Sequence, residues 1–492
     1  MISLTFILAA YGLIALVVLL LTLVSKSHKA MNLIALILPG AYLVLTLFTL
    51  VYSALPAYSI GSNYFLIDHL SLYEIMISAV LFLLAALYSR GYIEGSIEIG
   101  EMDRGSLKLF YVAFNLLLVT ISYAFLSDNL ALFWILAELT TAFSAILIVT
   151  LNAPKNIGAT LKYVFITSTC MLFGFIGLIL LYASTHISLG AGTLNWSALM
   201  SVAGTLSPGI LFASFIFTFV GFAAKSGIVP FHAWLPSAHS KAPAPISAIL
   251  SGSITSVGIY GIIRMYSLVA QTSLLSKVSI FLIGFGVLSM VVAALTMLAQ
   301  VNLKKLIGYS TVENMGFLLV ALGIGGPITI FWLLFYIMAH AFTKASLFFS
   351  AGILHHQFES VRMEKIKNAF KLQPFASWSL ILGTVAIIGM PATVVFPPKI
   401  SILIQSTSYS PFLLGGLLLI FLFAAASFGI FLIKLLSKTE QDDLAKPKSY
   451  SASAGMKISI IVLLTLIVVL GFFFPQQLSD LLKTIVSELG IR

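Results

Sequence analysis

The sequence predicts an all-α polytopic membrane protein with about fourteen transmembrane helices. Three observations point there. Of 492 residues, 60% are hydrophobic and only 9% are charged, against about 25% charged in a soluble domain; so little charge cannot cover a water-facing surface. The apolar residues fall in runs close to the ~20 that cross a bilayer. In lipid every backbone group must pair within its own segment, so runs of this length are helices.

In chain order the spans are expected at 2–24, 31–54, 69–89, 108–127, 129–151, 160–184, 208–232, 244–269, 277–299, 304–323, 328–354, 373–397, 411–437 and 457–475. The first run has no small-residue cleavage site before the second, so it reads as a retained helix and not a signal peptide. Residues 55–68 are too short and too mixed to cross, and are expected to form a hairpin at the membrane surface. Lys and Arg crowd the loops after odd-numbered spans, about five to one over the other loops and the tail. The positive-inside rule then places the odd loops in the cytoplasm and both termini outside, in the plasma membrane of a prokaryote. The net charge of +10 is thus a topology signal, and no nucleic-acid partner is expected. The polar loops 90–107, 355–372 and 437–456 are too short for a core of their own.

The chemistry lies inside the spans. Lys225, Lys344, Lys399, Glu138, Glu313 and His340 all fall within apolar runs. A charge at the centre of a span costs at least about 2.5–3.5 kcal/mol, and such residues usually mark ion paths. His340 and Lys344 are four apart, on one face of span 11, and an imidazole can pass protons near neutral pH. His232 and His239 follow the break of span 7, on its outer half or loop, with no third ligand nearby for a metal. His355 and His356 are expected to be solvated. Sodium would need several oxygen ligands, for which Asp128, Glu138, Thr140 and Thr141 are candidates. The single cysteine, Cys170, excludes a disulfide or a Cys-based metal site within the chain. No P-loop or dinucleotide fingerprint is present. The chain is therefore expected to carry no cofactor and no metal, and to serve as a non-catalytic subunit.

Glu138 and Lys225 are 87 residues apart, Glu313 and Lys399 are 86 apart, and each Glu lies two spans before its Lys. One pair begins on an odd span and the other on an even one, the pattern of an inverted repeat. The expected divisions are 1–107 (spans 1–3 with the hairpin), 108–269 (first repeat, spans 4–8), 277–437 (second repeat, spans 9–13) and 438–492 (loop, span 14 and short tail). Both lysine spans carry helix breakers: FAAKSGIVPFHAWLP in span 7 and GMPATVVFPPKISIL in span 12. Broken helices at membrane depth occur where they line a wet cavity or are buried in protein.

Four stretches carry a resemblance: FWILAELTTAFSAILI, GFAAKSGIVPFHAWLPSAHSKAPAPISAILSG, LKKLIGYSTVENMGF and AHAFTKASLFFSAG. They resemble the antiporter-like subunits shared by respiratory complex I, Mrp-type sodium/proton antiporters and membrane-bound energy-converting hydrogenases. The resemblance runs from about residue 60 to about residue 405. It implies fourteen helices in inverted repeats, a glutamate–lysine pair (Glu138, Lys225), a central relay through His340 and Lys344, and a terminal Lys399. Two features depart from the family. Ser256 stands where members usually carry a lysine in span 8, so the relay there needs waters or hydroxyls such as Thr255 and Ser256, with His232 as a further candidate. Span 12 has Met390-Pro391-Ala392-Thr393 in place of the usual continuation after its Leu-Pro. The ENMG of span 10 and the short stretch after span 14 look most like the hydrogenase branch. The expected function is that of a proton- or cation-translocating subunit of a respiratory redox complex of hydrogenase or related type. Its expected partners are antiporter-like and redox-module subunits, with iron–sulfur or metal centres only in those partners. The alternatives are an Mrp-type subunit exchanging Na+ for H+, and a complex I subunit.

Overall fold

The computed structural model describes residues 4–53, 55, 57–58, 64–151, 153–436 and 450–491. Among them thirteen helices are long and apolar enough to cross a membrane; a fourteenth span is broken. The spans are 1 (Leu4–Val24), 2 (His28–Tyr52), 3 (His69–Glu98), 4 (Leu107–Phe125), 5 (Leu130–Val149), 6 (Ala153–Leu189), 7 (Pro208–Ser226 with Leu235–Lys241), 8 (Ala244–Ala270), 9 (Leu275–Leu298), 10 (Leu303–Ile324), 11 (Pro327–Phe358), 12 (Pro374–Ile388 with Phe396–Tyr409), 13 (Pro411–Leu436) and 14 (Ala454–Phe472). The protein is thus an all-α polytopic membrane protein, as the composition predicts.

Side-chain caps fix several starts. Asp68 accepts from Ser71 N while the Ser71 hydroxyl accepts from Asp68 N, a reciprocal box that opens span 3. Asn129 accepts from the amides of Ala131 and Leu132 at span 5, and Asn302 from Lys305 N at span 10. Pro208, Pro327 and Pro374 stand at first helical positions, where a missing N–H costs nothing.

Burial sorts the spans. The central window of span 8 is 100% buried, that of span 10 89% and of span 11 83%, against 28% for spans 1 and 14. Spans 8, 10 and 11 form the axis, with span 3 against them: Tyr73 and Tyr88 donate to the carbonyls of Leu334 and Phe349. Two crossings bring backbones together. A Cβ on Gly221 of span 7 would stand 3.1 Å from Gly174 Cα of span 6, and one on Gly316 of span 10 would stand 2.7 Å from Gly286 O of span 9. Small residues at such crossings let membrane helices pack closely.

Several details differ from expectation. The hairpin at 55–68 is reduced to a two-residue antiparallel ladder, Ala57–Tyr58 on Leu66–Ile67; residues 54, 56 and 59–63 lie outside the described set, as do 437–449 of the polar loop before span 14. The tail forms a helix, Gln476–Glu488, tied to the start of span 3 by His69 Nδ1 and Glu488 Oε1 at 2.6 Å. Two cations near the ends of their spans are buried. Arg264 pairs with Asp68 at 2.7 Å and lies 4.2 Å from the Trp196 ring centroid, and Lys304 donates to Ala242 O at 3.0 Å. Hydropathy runs cannot separate a cation at a span's end from one in a loop.

Candidate ion-translocation site

Span 7 stops after Ser226 because Gly227 takes a left-handed φ of 75°. Any Cβ there would also meet Leu235 Cδ2 at 2.6 Å. The Trp234 indole donates to Ala224 O at 2.8 Å, a second bond on a carbonyl that also accepts from Gly227 N at the break. Lys225, in the last turn before the break, is fully buried and extends to span 5. Its Nζ donates to Ala137 O and Thr141 Oγ1, both at 2.6 Å. Glu138 lies between these two acceptors in sequence, yet no direct ion pair joins it to Lys225 among the described residues. Its carboxylate turns to Ser168 Oγ of span 6 at 3.3 Å, and its other oxygen has no protein partner. Buried hydroxyls continue from there: Ser144 Oγ lies 2.8 Å from Tyr163 Oη, and the Tyr163 ring stacks on Trp234.

In the second half, Glu313 is buried on span 10 and accepts from Asn314 Nδ2 at 2.7 Å; its other oxygen is unpartnered. Lys344 of span 11 donates to Ile307 O at 3.0 Å and to Ser310 Oγ, one turn before Glu313. Lys399 lies just after the break of span 12. It folds back to donate to Ile388 O at 3.0 Å and sits 3.7 Å from the Phe421 ring centroid. His340 is buried one turn from Lys344, and neither ring nitrogen has a hydrogen-bond partner.

Span 8 supplies hydroxyls where the resemblance implies a lysine. A π-turn at Leu250–Ile254 loosens the backbone, a feature frequent at functional sites. Thr255 and Ser256 donate to their own helix, at Ser251 O and Gly252 O. Neither bonds directly to Lys225 or His340. A ladder nevertheless crosses the span: Ser226 Oγ to Thr255 O at 3.2 Å, Thr255 Oγ1 to Ser251 O at 2.6 Å, and Ser251 Oγ to Thr311 Oγ1 at 2.8 Å, next to Ser310.

The histidines differ from the sequence reading. His239 is not at an outer loop. It is fully buried at the Lys304 end of the bundle, its ring stacked on Phe348 at 4.6 Å and both nitrogens unpartnered. His232 is half-buried in the short turn Phe231–Trp234 and faces Tyr309. His355 and His356 are not solvated. His355 Nε2 is 3.3 Å from Glu101 Oε1, and His356 packs between Tyr92 and Tyr450 and bonds Ser96. Burial works against the Glu101 charge, but the hydrogen bond from His355 and the charges of His355, Lys304 and His356 hold its carboxyl below the usual range. A cavity of about 570 Å³ opens here, lined by Glu101, Asn156, Lys241, Lys304, His355 and Arg362 among others.

Asp128 is no part of an oxygen cage with Glu138 and the threonines. Both its oxygens are taken by Ser197, N at 2.9 Å and Oγ at 2.6 Å, and ten residues of rise place it about 15 Å along from Glu138. Sequence reasoning also passed over Glu74 of span 3, fully buried with neither carboxylate oxygen bonded.

The family described as NADH:quinone oxidoreductase/Mrp antiporter, TM, matches residues 127–427, which hold every buried Lys and His above and both Glu138 and Glu313. The Hydrogenase-4 component F homolog of Methylacidiphilum infernorum (isolate V4) is 30% identical over 353 residues, 71% of this chain and 74% of that protein. Hydrogenase-4 component B of Escherichia coli (strain K12) is 28% identical over 70% of this chain, which spans only 51% of that relative's length. A chain of the membrane-bound sulfane sulfur reductase, an archaeal respiratory membrane complex, superposes with a TM-score of 0.85 over 99% of this chain and 97% of that one, at 22% identity, a likeness of fold. With the family matched over more than half its length, the chain belongs to the antiporter-like membrane subunits of the NADH:quinone oxidoreductase/Mrp family.

Proposed function

We propose that the chain moves protons across a prokaryotic plasma membrane as the ion-translocating subunit of a multisubunit redox complex of hydrogenase or related type. The observation that carries this reading is the row of buried groups Lys225–Glu313–Lys344–His340–Lys399, with the partly buried Glu138 at its start, laid across spans 5, 7, 10, 11 and 12 of one membrane protein. Buried ionisable groups in a bundle interior are costly to keep and mark ion paths. The hydrogenase-4 relatives support the branch.

In this reading spans 4–8 and 9–13 are inverted repeats, each contributing one glutamate and its lysine. Lys225 gives its proton to water beside the Ser226–Thr255–Ser251–Thr311 ladder; two of its three links end on backbone carbonyls, so the proton passes from water to water along it until the Ser251–Thr311 hydroxyl pair. Lys344 and His340 receive it, and Lys399 ends the row. Glu138 and Glu313 set when each ammonium lets go, since a nearby carboxylate favours the charged form. The cavity at Glu101, His355 and Lys304 gives water access from the lysine-rich end, which the positive-inside rule assigns to the cytoplasm. Iron–sulfur or other metal centres belong to partner subunits.

An Mrp-type Na+/H+ exchanger is the competing reading, because the family description covers both. Gentle purification from the native membrane separates them. Copurifying hydrogenase-like and iron–sulfur subunits support redox coupling; a set of small antiporter-type membrane proteins alone refutes it.

A further inference from the structure

Among the described residues Glu74 is fully buried outside the row, and, unlike the buried Asp68 and Asp128, it has no hydrogen-bond partner on either oxygen. An unpaired carboxylate does not stay charged in such a place. It holds a proton or a cation, because the lone charge is far too costly to bury. No cationic side chain pairs with it among the described residues, so the group rests as the neutral acid, with a proton to give and to regain.

Its place is fixed by contacts of its own helix. Leu81 Cδ1 would meet a Cβ on Gly252 of span 8, and Ala341 of span 11 abuts the same point. Seven residues before Leu81 on the same face stands Glu74. Tyr73 beside it donates to Leu334 O at 3.0 Å, so Glu74 lies at the level of Leu334, six residues or roughly 9 Å along span 11 from His340. Ser78, one turn from Glu74 toward that level, and Ser253 of the π-turn are buried with unpartnered hydroxyls. Ser256 and His340 are buried close by, 4% and 2% exposed. On the far side, Tyr260 is within electrostatic reach of Glu74 and accepts from Arg264 at 2.7 Å, and Arg264 pairs with Asp68 at the other end of the molecule from Lys304.

Building on the proposed transport reading, we propose that Glu74 is a proton-carrying residue, the relay between His340 and the Asp68–Arg264 end. His340 releases a proton from one ring nitrogen. The Ser78 and Ser253 hydroxyls, with intervening water, each accept one and donate another. Glu74 gives its proton to water beyond Tyr260 and takes the arriving one, returning to the neutral acid. This half-path complements the cavity at Lys304, so the central row reaches both faces.

The test is proton transport by the whole complex in sealed vesicles. Glu74→Gln keeps shape and burial but cannot release a proton; it is expected to lower transport at least tenfold with normal assembly. Glu74→Asp, which keeps the acid, is expected to retain most of it. Ser256→Lys, added to Glu74→Gln, places a new titratable group on span 8 between Gly252 and Tyr260 and is expected to restore part of the rate. Full-rate transport by Glu74→Gln overturns the assignment, as does equal loss in the Gln and Asp variants, which marks a structural role. Lys225→Ala in the same vesicles separates the two readings: if it is inactive while Glu74→Gln is not, only Glu74 is misassigned, and if it too runs at full rate, the transport reading fails.

Discussion

Lys225 and Lys399 occupy matched places in the two halves, each beside a break and 86 or 87 residues after a glutamate, yet they are held differently. Lys225 stretches across to span 5 and bonds on both sides of Glu138. Lys399 turns back on its own span, capping the Ile388 carbonyl under the Phe421 ring, and leaves the reach toward span 10 to Lys344. Equal spacing thus fixes equal position in the fold without fixing equal use. The first half has one lysine with one task. The second divides the work: Lys344 stands nearest the glutamate, while Lys399 also satisfies an open helix end, where a cation interacts favourably with the dipole.

This contrast is open to test, beginning with the largest effect. Lys225→Ala removes the only ammonium of the first half's site and is expected to cut transport by at least about tenfold, the scale of a lost proton-transfer group, in complexes that still assemble. Lys344→Ala should match it. Lys399→Ala should do less to transport, a severalfold loss, and more to stability, with a lowered Tm in detergent; equal transport loss at Lys344 and Lys399 with no change in Tm would remove the division of labour. Thr141→Val takes one of two acceptors from Lys225, about 1.5–3 kcal/mol for a bond to a charged group, and should slow transport severalfold without changing assembly.

The smallest effect lies outside the membrane. The lowered Glu101 pKa means its contribution to stability is present above the unfolded carboxyl value, near 4.3, and is lost as pH falls through the folded value. Glu101→Gln should therefore lower Tm at neutral pH, with the gap closing in acid; a gap that stays constant with pH contradicts the assigned charge state.

The spans and the central row were legible because charge in an apolar run is conspicuous. Lys225, Glu313 and His340 announce themselves by their neighbours alone. What escaped was position along the membrane normal. Lys304, next to the half-buried Lys305, reads as half of a loop pair, and only the fold turns it inward to Ala242 O. His355 and His356 sit beside a polar loop and are buried by Tyr92, Tyr450 and Glu101, which come from distant parts of the chain. Glu74 carried the same signal as Glu138, but only five residues into its span it resembles a carboxylate reaching for water. The π-turn of span 8 has no sequence signature beyond Ser-Gly-Ser, and its hydroxyl ladder exists only through spans 7 and 10.

The glycine crossings at Gly174–Gly221 and Gly286–Gly316 make the molecule's stiffness uneven. Backbones in direct contact leave no void to compress, as in any close-packed protein interior. The unpartnered hydroxyls, imidazole and carboxylate around His340, Ser253 and Glu74 lie away from these contacts. In the proposed path, hydrostatic pressure would act on water at those groups before it bends the close-packed ribs, and the volume of activation for transport would report that water, not the movement of helices.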